Sequence, residues 1–129
     1  MPMTTYLENA LLDATLKATT YTSPANVYMA LYSTTNSQAT PGTELTGNGY
    51  SRQLAPFATS AALGIIQNTG NVSFTASGGA WTTAVSAAIL DASTSGNMLY
   101  YNNNMPAQTV LNGQTLNYQT GQITITITA

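Results

Sequence analysis

The last segment of the chain alternates strictly between isoleucine and threonine. In a β-strand, successive side chains point to opposite faces, so this alternation gives one isoleucine face and one threonine face. All of these residues are β-branched, which suits a pleated strand and slightly disfavours a helix. The segment is therefore predicted to be a strand whose isoleucine face needs a second layer to cover it. The isoleucines are Ile123, Ile125 and Ile127, and the threonines are Thr124, Thr126 and Thr128.

Similar short stretches with strand character recur along the rest of the chain. Residues 27–32 alternate, and residues 85–91 have the pattern of a buried strand whose hairpin partner is 98–101. The pair Asn112-Gly113 is a strong signal for a hairpin turn in the C-terminal part of the chain. About seven or eight short strands, with turn signals roughly every 8 to 12 residues, are typical of an antiparallel sandwich or barrel. We predict an all-β fold, an antiparallel β-sandwich of jelly-roll-like type.

An N-terminal α-helix precedes the strands. Thr5 and Glu8 have the spacing of a capping box, and apolar residues then recur at helical spacing. We predict a helix over residues 5–18 inside an N-terminal arm of residues 1–20, with residues 1–129 forming one β-sandwich domain. The helix either covers one end of the sheets or docks onto a neighbouring molecule.

The chain is unusually poor in charge. Charged residues make up 5% of it, against roughly 25% in an ordinary soluble domain, and the net charge is −2 with two cations. Nucleic-acid binding needs clustered Lys and Arg, so no nucleic-acid partner is expected. The chain has no Cys and no His, so it lacks thiol nucleophiles, thiolate metal ligands and the imidazole that is the commonest metal ligand and general base, and no metal or cofactor is expected. A neutral polar surface has little charge repulsion, which favours a protein that assembles with others.

The sequence shows no membrane or export signal. No uninterrupted apolar run approaches the roughly 20 residues of a membrane span, so no membrane partner is expected. The segment from Met1 to Thr5 lacks a basic region followed by an apolar stretch, and no signal peptide is evident. We therefore expect synthesis in the cytoplasm.

Glu44 and Asp91 are the only pair of carboxylates outside the predicted helix. A glycosidase would use such a pair as acid and base, about 5 to 10 Å apart. The alternative is a structural ion pair in which Arg52 bridges one or both carboxylates. In so sparsely charged a chain the structural alternative is favoured. We predict that Arg52 is at least partly buried and paired, and that the protein is not an enzyme.

Two blocks of glycine, aromatic and charged positions occur in a recognisable order. The first runs Val27-Tyr28-Met29-Ala30-Leu31-Tyr32-Ser33, then Gly42-Thr43-Glu44-Leu45, then Gly47-Asn48-Gly49-Tyr50-Ser51-Arg52-Gln53. The second has Trp81, then Ala88-Ile89-Leu90-Asp91-Ala92, then Gly96-Asn97-Met98-Leu99-Tyr100-Tyr101, then Pro106, Val110 and Gly113. Over residues 20–129 this order resembles a family of small bacteriophage virion proteins, usually labelled tail-fibre or minor tail proteins.

The resemblance implies a structural protein on the virion surface. Similar small β-sandwich proteins serve as cement, or decoration, proteins on phage heads, typically as trimers. The favoured expectation is a capsid cement protein that clamps subunits of the major capsid protein as a homotrimer. The alternative is a tail-fibre or tail-associated module that binds a host surface glycan.

Large and rigid side chains anchor protein interfaces. Tyr28 and Tyr32 share the outer face of the predicted strand 27–32, because they are an even number of residues apart. Together with other aromatic and methionine residues they are expected to face a partner. The full set is Met1, Met3, Tyr6, Tyr28, Tyr32 and Tyr101.

Overall fold

The computed structural model describes residues 1–127, which contain one α-helix and eight β-strands. The predicted all-β fold with one N-terminal helix is confirmed. Thr128, at the end of the alternating segment, lies outside the described residues. No helix within the described range is long and apolar enough to cross a membrane. The elements are α1 (Thr5–Leu16), β1 (Tyr28–Tyr32), β2 (Gln53–Leu54), β3 (Ile65–Gln67), β4 (Val72–Thr75), β5 (Ser86–Leu90), β6 (Met98–Asn102), β7 (Thr115–Tyr118) and β8 (Thr124–Thr126).

Four strands form a central antiparallel sheet in the order β2-β1-β5-β6. β1 and β5 pair along their whole length, from Tyr28 opposite Leu90 to Tyr32 opposite Ser86. β5 and β6 form the predicted hairpin, with one β-bulge in its ladder. Because β1 and β5 lie in the middle of the sheet and are covered on both faces, they are apolar and buried along nearly their full length.

The second layer consists of two antiparallel ribbons, β3 with β8 and β4 with β7. The main hydrophobic core lies between this layer and one face of the central sheet. It combines Met29, Leu31 and Ile89 of the sheet with Phe74 of β4 and Ile125 of β8. This two-layer antiparallel packing is that of the predicted sandwich. The jelly-roll arrangement is not confirmed, because the second layer is two ribbons rather than one four-stranded sheet.

The C-terminal segment follows its prediction only in part. Ile123 and Ile125 are buried in the core, whereas Ile127 is exposed. β8 ends at Thr126, and the Ile127 N–H donates to the Gly64 carbonyl at the end of the ribbon. The prediction of a wholly buried isoleucine face is therefore wrong at Ile127, because the paired strand has ended before it.

The Asn112-Gly113 pair forms the predicted turn, with Gly113 at a φ of +81°. The segment before the turn is not a strand and does not pair with β7 after it, so the hairpin prediction is wrong. β7 pairs with β4 after the turn, while before it the Trp81 N–H donates to the Val110 carbonyl. Trp81 and Val110 are both buried in the main core, which draws this segment away from β7.

The helix begins at Thr5, as predicted, but its N-cap is one residue earlier than the capping-box spacing indicated. The N-cap is Thr4, whose Oγ1 accepts the Leu7 N–H at 3.4 Å. The main-chain N–H of Thr4 donates to the Leu99 carbonyl of β6, so the sheet fixes where the helix starts. The helix ends at Leu16, short of the predicted residue 18, and Ala18 takes a left-handed φ of +55°.

Candidate functional site

A cleft with a volume of about 620 Å³ lies against the second face of the central sheet. Its walls are the start of α1 (residues 4–9), the loop 37–42 and the β5–β6 loop (95–98). Its floor contains Tyr32 and Leu90, which belong to the apolar cluster on that face of the sheet. The cleft therefore lies where the helix, a long loop and the sheet meet.

The loop wall is held in place by one buried asparagine. Asn36 accepts the Gly42 N–H on Oδ1 at 2.7 Å and donates from Nδ2 to Ser86 Oγ at 3.2 Å. The main chain of Asn36 makes two further bonds with the side chain of Asn103, which accepts its N–H and donates to its carbonyl. Gly42 allows this close fold, because a Cβ there would lie 2.7 Å from the Thr34 carbonyl oxygen.

At the base of the cleft, Arg52 and Glu44 form the predicted ion pair. Arg52 Nη2 donates to Glu44 Oε1 at 2.9 Å and Nε donates to Oε2 at 3.0 Å, so the contact is bidentate. The Tyr50 hydroxyl also donates to Glu44 Oε2, at 2.8 Å. The two charged side chains are 11% and 25% exposed, and the hydrogen bonds from Arg52 to Glu44 raise the pKa of the arginine.

Asp91 is not part of this ion pair, which corrects its predicted role. Its carboxylate accepts the Asn97 N–H at 2.7 Å and the Asn97 Nδ2 at 3.0 Å, inside its own hairpin loop. Arg52 reaches the same loop through its carbonyls, donating from Nη1 to Ala92 at 2.9 Å and to Ser95 at 2.7 Å. Local hydrogen bonds thus occupy Asp91, and the loop's carbonyls take the remaining face of the guanidinium.

Tyr32 was predicted to face outward, but it is only 2% exposed. The prediction is wrong because the helix start and the loop 37–42 cover the second face of the sheet. Burial, with a smaller contribution from the charge of Glu44, raises the pKa of Tyr32 to about 12.

The other predicted interface residues lie in different environments. Tyr6 is exposed and lines the cleft, and Tyr28 is half-buried in β1. Met1 packs on the main core and Tyr101 packs on the second apolar cluster. Met3 lies opposite Tyr100 at the edge of β6. The six residues therefore do not form one surface.

The chemistry available in the cleft is that of polar, uncharged contacts. Amides and hydroxyls of Asn9, Gln38 and Thr40 line it beside the exposed ring of Tyr6. The Glu44 oxygens are already engaged by Arg52 and Tyr50, which suits a fixed structural carboxylate better than a proton carrier. Among residues 1–127, no group of three or more acidic side chains could hold a metal ion.

Sequence reasoning found Glu44, Arg52 and Tyr6 but missed the amides that line the cleft. Gln38 and Asn9 lie in stretches rich in small polar residues and carry no motif of their own. The one signal for this wall of the cleft is Gly42 in the long loop, since a position that only glycine can occupy indicates a tightly folded loop.

Comparison with protein families gives a match over nearly the whole chain. The family model described as "Podophage GP4 fiber I protein gp80" matches residues 2–126 of the chain. That range includes the helix, all eight strands and every segment that lines the cleft. No curated protein matches the chain.

Proposed function

The chain belongs to the family of the Podophage GP4 fiber I protein gp80, and from this membership we propose that it is a non-enzymatic subunit of a phage tail fibre. The family makes it a bacteriophage structural protein that is associated with the virion and made in the host. The resemblance to small phage virion proteins, drawn from the sequence, is confirmed. The observation that carries the proposal is the extent of the match, over residues 2–126.

The fibre hypothesis replaces capsid cement as the leading one. The family description names a fibre protein, and nothing in the fold or the cleft favours a place on the head. We therefore propose no contact with the major capsid protein. Of the predicted partners we retain further copies of the chain itself, because its nearly uncharged surface lets copies approach without repulsion.

The cleft supports a second role, binding of a host surface glycan. Its volume of about 620 Å³ falls within the usual range for small-ligand sites. Sugars present hydroxyl groups that bond to amides and C–H faces that pack on aromatic rings, and the cleft offers Gln38 and Asn9 for the first and Tyr6 for the second. A second stretch of amides, Asn102-Asn103-Asn104 at the end of β6, is less suited to bind a glycan, because Asn103 is already bonded to Asn36.

Gold labelling of intact virions with antibodies against this chain tests the fibre proposal. We expect label along the tail fibres. Label confined to the head would refute the proposal and return the capsid hypothesis.

A glycan array tests the role of the cleft. We expect binding to a defined set of host glycans that is lost in Tyr6→Ala and kept in Leu12→Ala, which changes an exposed residue of the same helix outside the cleft. Equal binding by the two variants would show that the cleft is not the site.

A further inference from the structure

Most of the few charged side chains of this protein lie in or around the cleft. Glu44 and Arg52 line its base. Glu8 lies at its rim, where Oε1 accepts a hydrogen bond at 3.1 Å from Nε2 of the lining residue Gln38. Asp91 lies behind the wall formed by the β5–β6 loop, and its carboxylate is bonded within that loop. The surroundings of the cleft therefore combine three carboxylates with one cation.

The two remaining charged side chains cancel each other elsewhere. Lys17 pairs with Asp13 at 3.8 Å, at the far end of α1. Twelve residues of helix separate Lys17 from Thr5 in the cleft wall, which is about 18 Å at the usual rise per residue. That distance is about twice the Debye length of roughly 8 Å at physiological ionic strength, so Lys17 does not offset the charge at the cleft. The whole side-chain net charge of −2 is thus concentrated around the cleft.

The one cation of the cleft is already engaged by the protein. Arg52 directs Nε and Nη2 to the carboxylate of Glu44, and it directs Nη1 to the carbonyls of Ala92 and Ser95. An acidic group on a ligand would have to displace the Glu44 carboxylate to reach this guanidinium. Arg52 therefore holds the base of the cleft together and offers little attraction to an anion.

The N-terminal end of α1, which carries the positive end of the helix dipole, is also occupied. The Thr5 N–H donates to the Gln38 carbonyl, and the Leu7 N–H donates to Thr4 Oγ1. Glu8 places a carboxylate in the first turn of the helix, where it offsets the dipole. The helix start therefore adds no anion-binding position to the cleft.

We infer that the cleft takes uncharged glycans and rejects glycans that carry carboxylate, phosphate or sulfate groups, with Glu8 as a specificity-determining residue. An acidic group in the cleft would meet net negative charge with no free cation to balance it, and a site can select its ligands by such repulsion. The amides of Asn9 and Gln38 suit the hydroxyl groups of a neutral sugar. The inference rests on the proposal that the cleft binds a host glycan and narrows that proposal to one class.

A glycan array of matched pairs tests this selectivity. Each uncharged oligosaccharide, such as lactose, is printed beside its O-sulfated form, so that the two members differ in one acidic group. At low salt we expect the uncharged member to bind at least about fivefold more tightly, because two unit charges about 8 Å from a third give roughly that factor even at the dielectric constant of water. In about 1 M salt, where the Debye length is about 3 Å, the two members should bind nearly equally.

Two variants of equal net charge test the role of Glu8. Glu8→Gln and Asp13→Asn each change the net charge from −2 to −1, but only the first removes a carboxylate beside the cleft. The glutamine keeps an oxygen that can accept the hydrogen bond from Gln38. The preference for the uncharged member should fall about twofold or more in Glu8→Gln and should not change in Asp13→Asn.

The possible outcomes separate this inference from the proposal beneath it. Equal or tighter binding of the sulfated members at low salt would overturn the inference and leave the glycan role of the cleft standing. An equal effect of Glu8→Gln and Asp13→Asn would refute the assignment to Glu8. If no glycan of either kind binds, the glycan role of the cleft fails and the inference fails with it.

Discussion

Replacing Arg52 with alanine tests how much of the stability depends on the ion pair beneath the cleft. Arg52→Ala removes the bidentate contact with Glu44 and both bonds to the carbonyls of Ala92 and Ser95. Glu44 then keeps only the Tyr50 hydroxyl as a partner, in a partly buried site. The substitution therefore disconnects two loops and leaves a carboxylate without its cation.

The size of the effect follows from the burial of the pair. Breaking a buried ion pair costs about 3–5 kcal/mol, and an exposed pair contributes about 0–1 kcal/mol. Side chains that are 11% and 25% exposed lie nearer the buried limit, and we expect a loss of about 2–4 kcal/mol in the free energy of unfolding. With a urea m-value of about 2 kcal/mol/M, the midpoint should fall by about 1–2 M.

The assay is urea unfolding followed by the fluorescence of Trp81, the single tryptophan, which is buried in the main core. Lys17→Ala is the matched control, because Lys17 is the other cation and pairs with Asp13 at 3.8 Å with its side chain 70% exposed. Its midpoint should change by less than about 0.5 M. If Arg52→Ala shifts the midpoint no more than Lys17→Ala does, the ion pair has no structural importance and the reasoning fails.

Three further predictions concern other parts of the fold. Because burial raises the pKa of Tyr32 to about 12, the folded state holds this proton more tightly than the unfolded state does, so the contribution of Tyr32 to stability is complete below about pH 10 and is lost as the pH rises through 12. Between about pH 8 and 11 the urea midpoint should fall less for Tyr32→Phe than for the unmodified chain, and equal falls would contradict this. Asn68→Ala should lower the free energy of unfolding by about 3 kcal/mol, because the buried side chain of Asn68 makes four hydrogen bonds. In the same urea assay, Asn71→Ala should lower it by less than about 1 kcal/mol, because the Asn71 side chain accepts a single hydrogen bond, from Thr120. Leu63→Asn should raise the free energy of unfolding by about 0.5–1 kcal/mol, because Leu63 is 98% exposed and has a φ of +54°, which asparagine tolerates better than leucine. The control Leu63→Ala should bring no such gain, and a gain of the same size in that variant would contradict the explanation.

Local patterns in the sequence predicted the elements whose partners are close along the chain. The β5–β6 hairpin is an example, since its strands are separated by one short loop that contains Gly96. The ribbons were harder, because β4 pairs with β7 across a long separation. Alternation indicates that a segment is a strand, but it does not identify the partner strand when turn signals are present on both sides.

The ion pair and the burial of Tyr32 show the same limit at the level of side chains. With only two cations, the sequence could predict that Arg52 is paired, but not that Glu44 rather than Asp91 is its partner. Alternation places Tyr32 on one face of β1, and only the docking of the helix start and the loop 37–42 decides that this face is covered. Such coverage is a long-range property that periodicity does not contain.

Buried amides fix the loops of this protein, where many proteins use charges. Asn36 joins the loop 37–42 to Ser86 and Asn103, and Asn68 joins the turn before β4 to the loop before β8. An amide both donates and accepts, so it satisfies main-chain groups of two segments without the cost of burying a charge. The described loops therefore need few charged side chains to hold them, in a chain of which charged residues make up 5%.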